Sequence, residues 1–336
     1  MFHSTRGKFS KAGYVLVSLL LAALVLAACG NQSNNTNSAA EPKQETASKN
    51  STTGDQASDR VVKDAMGHEV KIPANPQRIL ASYLEDPLVT LGVTPVAQWS
   101  VADGKSIQDY LQNKLQGVPT IGYDLPPEQV ASFKPDLILV GSESSVQKGL
   151  YEQYNAIAPT YVLGDAVNKD WRETLKKIGE LLGKSDAAEQ ALNTYDQKAT
   201  ETKERLASSV GKQSAAIMWL TQKQFYIVGP KVSSGAVVYG DLGMTVPKLV
   251  SELPDGAASW NSISLEKLSE LDADHIFLIN SDKGQDASTL NNPIWKGLKA
   301  VKEGHVYEMD TKSSWLYSGA LAGEQMMDDV TKALVK

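Results

Sequence analysis

The sequence has a single cysteine, Cys29, in 336 residues, and four histidines, His3, His68, His275 and His305, well separated along the chain. One cysteine excludes an intramolecular disulfide and any cysteine-built zinc or iron–sulfur centre, and scattered histidines offer no local basis for a metal site. Arginine is scarce: after residue 58 there are only Arg60, Arg78, Arg172 and Arg205. With a net charge of −6, the chain lacks the clustered cations that phosphate contacts need, which argues against a nucleic-acid partner. There is no Gly-x-Ser-x-Gly elbow, no glycine-rich phosphate loop and no carboxylate–histidine constellation, so nothing points to an enzyme. Gly67-His68-Glu69 reads as part of a hairpin and suggests no catalysis. What is present is an ordinary soluble composition, 42% apolar and 21% charged. The length suggests about two domains at roughly 150 residues each.

Only one long apolar run occurs, at residues 12–28, after a start that carries Arg6, Lys8 and Lys11 and no acid. A basic start, an apolar run and small residues at its end predict a signal peptide over residues 1–28. The run closes on Leu26-Ala27-Ala28-Cys29, which resembles a bacterial lipobox, in which the cysteine takes a diacylglyceryl group and becomes the new N-terminus. Multiple acyl chains anchor stably where a single one binds only marginally. Residues 30–58 contain no Val, Ile, Leu, Met or aromatic residue, so they cannot offset their ordering entropy, and a disordered tether over 29–58 is expected. As a flexible coil it would reach about 30 Å r.m.s.. Three cations fall in the signal, so the remaining chain is more acidic than the whole. An acidic body near an anionic membrane needs such a tether.

From Asp59 onward, short apolar runs bounded by turn residues predict buried strands at residues 78–81, 95–97, 120–122, 137–140 and 160–162, then at 215–218, 276–279 and 305–308. Amphipathic stretches such as Ile107 to Leu115 lie between them. That alternation implies an α/β chain of two Rossmann-like lobes with parallel sheets and helices on both faces. The lobes are expected at 59–184 and 209–336, with one long helix over 185–208 between them. Ala188, Ala191, Leu192, Tyr195, Ala199, Thr202 and Leu206 keep helical spacing there, and Ser185 is the expected N-cap. Periodicity leaves open whether this helix connects the lobes or lies on the surface of one.

Two segments echo each other at an offset of 138. Residues 128–141 and 266–279 each open on a glutamate and lead into a buried strand, matching Glu128 with Glu266, Val130 with Leu268, Phe133 with Leu271 and Asp136 with Asp274. A glutamate in a first helical turn suits the helix dipole, and helix–loop–strand units recur in any α/β chain.

Four stretches carry a family resemblance: Val61 to Pro73 with Asn75-Pro76-Gln77-Arg78-Ile79; Leu91-Gly92-Val93-Thr94-Pro95-Val96; Lys134-Pro135-Asp136-Leu137-Ile138; and Val306-Tyr307 to Trp315 with Asp328-Asp329-Val330. On these, residues 59–336 resemble the solute-binding lipoproteins of iron–siderophore ABC importers, the cobalamin/siderophore class with a rigid interlobe helix. The resemblance implies a monomer with two lobes around a cleft and only small closure, the class III binding-protein architecture. It also implies docking on a two-fold permease, with its ATPase, through one surface glutamate per lobe, for which Glu128 and Glu266 stand at the matching positions. The long polar stretch after Cys29 and the glycine at 30 look more like a Gram-positive lipoprotein, which would be held through Cys29 on the outer face of the cytoplasmic membrane.

Ligands of open parallel sheets sit beyond the carboxyl ends of the strands. That rule selects Tyr83, Glu85, Trp99, Tyr123, Ser142 and Glu143 from the first lobe. From the second it selects Trp219, Lys223, Phe225, Tyr226, Lys231, Ser233, Ser234, Lys283, Lys312, Trp315 and Tyr317. Trp260 also falls at a loop mouth, whereas Trp171 and Trp295 read as helix or packing residues. The expected binding set is Tyr83, Glu85, Trp99, Tyr123, Ser142, Trp219, Tyr226, Lys231, Ser233, Trp315 and Tyr317. No cofactor is expected, because the chelator supplies the iron's ligands. The hydroxamate-binding branch of the family carries an arginine-bearing turn before a helix start, where this chain has Ser233. The scarcity of arginine disfavours a strongly anionic ferric catecholate and leaves hydroxamate, mixed citrate–hydroxamate and ferric citrate chelates. Haem or cobalamin on the same scaffold is the other alternative, with Tyr83 or Tyr317 as an axial haem ligand. A tethered adhesion lipoprotein would leave the matched glutamates without a role.

Overall fold

The computed structural model describes residues 58–254, 258–284 and 288–335. The expected signal peptide, Cys29 and nearly all of the tether lie outside them.

The body opens with an antiparallel hairpin, β1 (Arg60–Lys63) and β2 (Glu69–Ile72). Its turn is held by Asp64, which accepts the amides of Met66 and His68, and by Gly67 at φ +90°. Along β2, Val70 and Ile72 are buried while Glu69 and Lys71 are exposed, so one face packs on the lobe. The first lobe then places β3 (Ile79–Leu80), β6 (Leu137–Val140) and β7 (Thr160–Val162) in a parallel sheet of order β3-β6-β7. A second parallel pair joins β4 (Gln98–Ser100) to β5 (Thr120–Gly122). All of β6 is buried, as a strand covered on both faces should be.

The second lobe is one five-stranded sheet of β8 (Ala215–Thr221), β9 (Gln224–Val228), β10 (Trp260–Ile263), β11 (His275–Asn280) and β12 (Val306–Met309), in the order β10-β9-β8-β11-β12. Strands β8, β11 and β12 run parallel, but β9 and β10 are antiparallel. The expected parallel sheets are present in both lobes, with antiparallel additions in each: the β1–β2 hairpin in the first, and in the second β9, which a tight turn at Gln222-Lys223 sends straight back along β8, with β10 beside it. The strand expected at 95–97 is also displaced, to 98–100. Pro95 has no amide to give a ladder, whereas Gln98 and Ser100 are buried because backbone carbonyls satisfy them. Gln98 Nε2 donates to Leu115 and Val118, and Ser100 Oγ to Ile121.

The segment echo is structural at its aspartates. Asp136, leading into β6, accepts the amides of Gln77 and Arg78 at the entry to β3. Asp274, leading into β11, accepts the amide and hydroxyl of Ser214 at the entry to β8. Each acid ties the start of one parallel strand to the start of its neighbour.

The long helix runs Ser185–Ser209, about 37 Å at 1.5 Å per residue. Lys184 holds the cap position and no side chain caps it, so Ser185 is the first helical residue and not the N-cap. Its buried stripe belongs to two cores. Ala188 and Leu192 pack in the first lobe, while Tyr195, Ala199 and Leu206 pack in the second. The helix is thus the connector between two Rossmann-like lobes. The C-terminal helix, Ala320–Leu334, lies against it. Their closest approach needs Gly323, where a Cβ would fall 2.5 Å from the Tyr195 hydroxyl.

Candidate ligand-binding cleft

The carboxyl ends of β3, β4, β5 and β6 open on a cavity of about 470 Å³ lined by Tyr83, Trp99, Tyr123 and Gly141. Its size falls within the roughly 300–1,000 Å³ of small-molecule sites. A second cavity of about 220 Å³ lies between the lobes, lined by Tyr83, Asp86 and Trp171 from the first and by Ser233, Trp260 and Tyr317 from the second. Tyr83 borders both, at φ 63°, in the left-handed region. Its ring meets Trp99 edge-on at 5.1 Å and Tyr317 of the opposite lobe at 6.3 Å. The junction of the two cavities is therefore an aromatic ring standing between the lobes.

Beneath this wall lie two consecutive carboxylates. Glu85 is fully buried; its Oε1 accepts the Trp99 amide at 2.6 Å and its Oε2 has no partner. Burial pushes its carboxyl up to about 7. Asp86, also buried, accepts the Tyr110 hydroxyl at 3.1 Å and, from the far side of the chain, the amides of Leu321 and Ala322 at 3.3 and 3.0 Å. Burial raises it to about 6, against the pull of those donors. Asp86 thus serves as the N-cap of a helix in the other lobe, which has no capping side chain of its own. The residue before that helix is Gly319, at φ +150°, where a Cβ would fall 2.1 Å from the Asp86 carboxyl carbon. The approach admits glycine alone. Nearby, Tyr317 donates to the Ile107 carbonyl and Gln325 to that of Tyr110, again across the lobes.

Of the residues expected to bind, Tyr83, Trp99, Tyr123, Ser233 and Tyr317 line the two cavities. The others are placed differently. Glu85 lies behind the wall and positions Trp99 through its backbone. Ser142 accepts the Ser144 amide at the start of a short turn. Trp219 is half-buried, donates from Nε1 to Ser281 and packs against Tyr226 and Trp260, so it and Tyr226 stand behind Trp260, outside the cavity linings. Lys231 is exposed outside both linings. Trp315 requires the firmest correction. It is 0% exposed, stacked on Phe277 at 4.9 Å, with Nε1 donating to Asp329. It belongs to the core because the C-terminal helix covers it. Phe225 and Ser234 are likewise buried, Lys283 pairs with Glu308, and Glu143 accepts the Asp165 amide.

Sequence reasoning missed Asp86 and Gly319, partners separated by more than two hundred residues, and placed Trp171 in packing alone although it also lines the interlobe cavity. The one available signal was a glycine directly before an uncapped helix. Among the described residues no group of three or more His, Cys, Asp or Glu is placed to hold a metal ion. The cleft can instead enclose a ligand with aromatic faces and a few fixed polar groups.

Comparison with known proteins agrees with this geometry. The iron(3+)-hydroxamate-binding protein FhuD of Bacillus subtilis is 31% identical over 333 residues, covering 98% of this chain and 99% of that protein. A crystal structure of a FhuD fold-family periplasmic binding protein from Bacillus subtilis, a component of a Fep/Fec-like ferrichrome ABC transporter, superposes with a TM-score of 0.69 at 30% identity, covering 82% of this chain and all of that one. Staphylococcus aureus SirA complexed with staphyloferrin B superposes with a TM-score of 0.67 at 27% identity, over 82% of this chain and 98% of that one. The model of the periplasmic binding protein family matches residues 82–312. From the first cavity residue to the end of the last sheet, this chain belongs to the periplasmic binding protein family, whose members bind and deliver solutes and are not enzymes.

Proposed function

We propose that this protein captures a ferric siderophore, of hydroxamate or mixed citrate–hydroxamate type, between its lobes and delivers it to an ABC permease for iron uptake. The observation that carries this reading is the Tyr83 junction, where Trp99 and Tyr123 on one side and Trp260 and Tyr317 on the other frame a space that, among the described residues, has no built-in metal ligand set. Aromatic faces suit the broad, weakly polar exterior of such a chelate. The iron is cargo, held by the chelator's own oxygens.

Tryptophan fluorescence tests the reading, because Trp99, Trp171 and Trp260 line the cavities. Ferric hydroxamates are expected to quench at micromolar concentration or below, and ferric enterobactin is not. A Soret band on adding haemin, with no quenching by ferric hydroxamates, would transfer the assignment to haem. Tight binding of ferric citrate alone would transfer it to that chelate.

Delivery is assigned to Glu128 and Glu266. Both are exposed, each in the first turn of a short helix, Pro127–Ser132 and Leu265–Leu268, one per lobe. Carboxylates so placed suit charge-assisted pairing with permease arginines in a transient contact. The double variant Glu128→Ala, Glu266→Ala is expected to keep ligand affinity and lose uptake; intact uptake would refute the docking role. The anchor is assigned to Cys29, with signal cleavage after residue 28, a tether over 29–58 and a monomeric body on the outer face of a Gram-positive cytoplasmic membrane. Cys29→Ala is expected to release the protein into the medium.

A further inference from the structure

The geometry points to a cleft that sorts ferric chelates by charge, accepting uncharged and cationic ones and rejecting anions. This rests on the siderophore reading above and narrows it to its hydroxamate arm, because a mixed citrate–hydroxamate chelate of iron(III) is anionic. Among the described residues, neither cavity has a lysine or arginine in its lining, whereas Asp86 and Asp124 are in it. Arginine is committed elsewhere. Arg60 donates to the carbonyls of Glu180 and Leu181, Arg78 to those of Phe133 and Lys134, and Arg172 to Asp196 and Asp241, while Arg205 lies exposed on the long helix. Lys231, two residues from Ser233, and Lys169, next to Asn168, are both outside the linings. At the position where an arginine was expected, Ser233 donates its hydroxyl to the Tyr317 carbonyl.

An anion entering such a site loses hydration and meets no compensating charge, which is costly in a partly desolvated space. A cation meets the opposite surroundings. Tyr83, Trp99 and Tyr317 present aromatic faces, which tolerate or weakly attract a cation.

A charge ladder on one iron centre tests this. Ferrioxamine B carries a free terminal amine on a neutral ferric trihydroxamate; N-acetylation makes the chelate neutral and N-succinylation makes it anionic. In fluorescence titrations of the tagless body, the amine and acetyl forms are expected to bind within about threefold of each other. The succinyl form is expected to bind at least about tenfold more weakly, a step equivalent to 1.4 kcal/mol. Equal affinity for all three would overturn charge sorting and leave the siderophore reading standing. Failure of all three to bind would overturn the siderophore reading itself. Ser233→Arg, which sets a cation at the interlobe cavity, is expected to narrow the gap between the acetyl and succinyl forms at least about threefold. An unchanged gap, in a variant with unaltered circular dichroism and unaltered affinity for the acetyl form, would overturn the assignment of the discrimination to this wall.

Discussion

The two lobes carry the same kind of residue at corresponding places and use it in opposite ways. In the first lobe, aromatic side chains beyond the strand ends remain open: Tyr83 is 53% and Tyr123 68% exposed. In the second, Trp315 is wholly buried and Trp219 is fixed by a hydrogen bond and by its neighbours Tyr226 and Trp260. The difference follows from what covers each sheet end. Strands of two to four residues leave the first lobe's mouths bare, whereas the C-terminal helix closes over part of the second. A strand-end aromatic is therefore a contact residue at Tyr83 and Tyr123 of the first lobe but core at Trp315 of the second, where Trp260 and Tyr317 still reach the interlobe cavity, and substitution should separate the two roles.

Trp315→Ala should have the largest effect. Emptying a fully buried indole stacked on Phe277 is expected to cost about 3–5 kcal/mol by chemical denaturation. Tyr123→Ala should change stability by less than about 0.5 kcal/mol while weakening ligand binding. Similar losses of stability from both would dissolve the contrast between the lobes.

Next comes the carboxylate that joins them. Asp86→Ala removes the cap of the C-terminal helix and leaves the Leu321 and Ala322 amides buried without a partner. A loss of about 2 kcal/mol is expected, with a further loss of ligand affinity because both sides of the interlobe cavity are set by this contact. If the loss is that of an exposed residue, below about 0.5 kcal/mol, the two lobes do not depend on the cap.

The same pair of acids gives a pH signature. Burial raises Glu85 to about 7 and Asp86 to about 6, above their ordinary values of 4.5 and 3.8. A carboxyl raised in the folded state stabilises the fold while it is protonated, so the contribution is complete below about pH 4 and is lost as pH rises towards 7. Between pH 5 and 7.5 the body is expected to lose on the order of 3–4 kcal/mol from these groups, and Glu85→Gln should flatten the upper part of that slope. A slope of opposite sign between pH 5 and 7.5, unchanged by Glu85→Gln, would mean that other groups govern stability there.

Apolar runs were legible from the chain because a strand covered on both faces needs them: 137–140, 160–162 and 276–279 stand where periodicity puts them. The helix stripe from Ala188 to Leu206 was legible for the same reason. Strand β4 was not, because Gln98 and Ser100 are polar residues made burial-compatible by carbonyls brought from elsewhere. The site divided along the same line. Strand-end position picked Tyr83, Trp99, Tyr123, Ser233 and Tyr317, which line the cavities. It could not tell that a helix covers Trp315, nor that Asp86 meets Ala322 across the fold, since both depend on how distant elements pack.

Of the two links between the lobes, the second is expected to show the smaller effect. Arg172, at the start of the helix Trp171–Leu181, donates to Asp241 of the second lobe at 3.0 Å and to Asp196 of the long helix at 3.3 Å. Its guanidinium lies 4.4 Å from the Trp171 ring centre and 4.8 Å from that of Tyr195, and the Tyr195 hydroxyl also donates to Asp241. Arg172→Lys keeps the charge and loses the planar stacking and the fork, so it separates geometry from Coulomb attraction. Because the pair is partly open to solvent, the loss should be about 1 kcal/mol, half that of Asp86→Ala. Trp171 lines the interlobe cavity and rests on this guanidinium, so affinity should fall, but by less than about threefold. A larger loss of stability than that of Asp86→Ala would make the helix side, and not the cleft floor, the principal tie between the lobes.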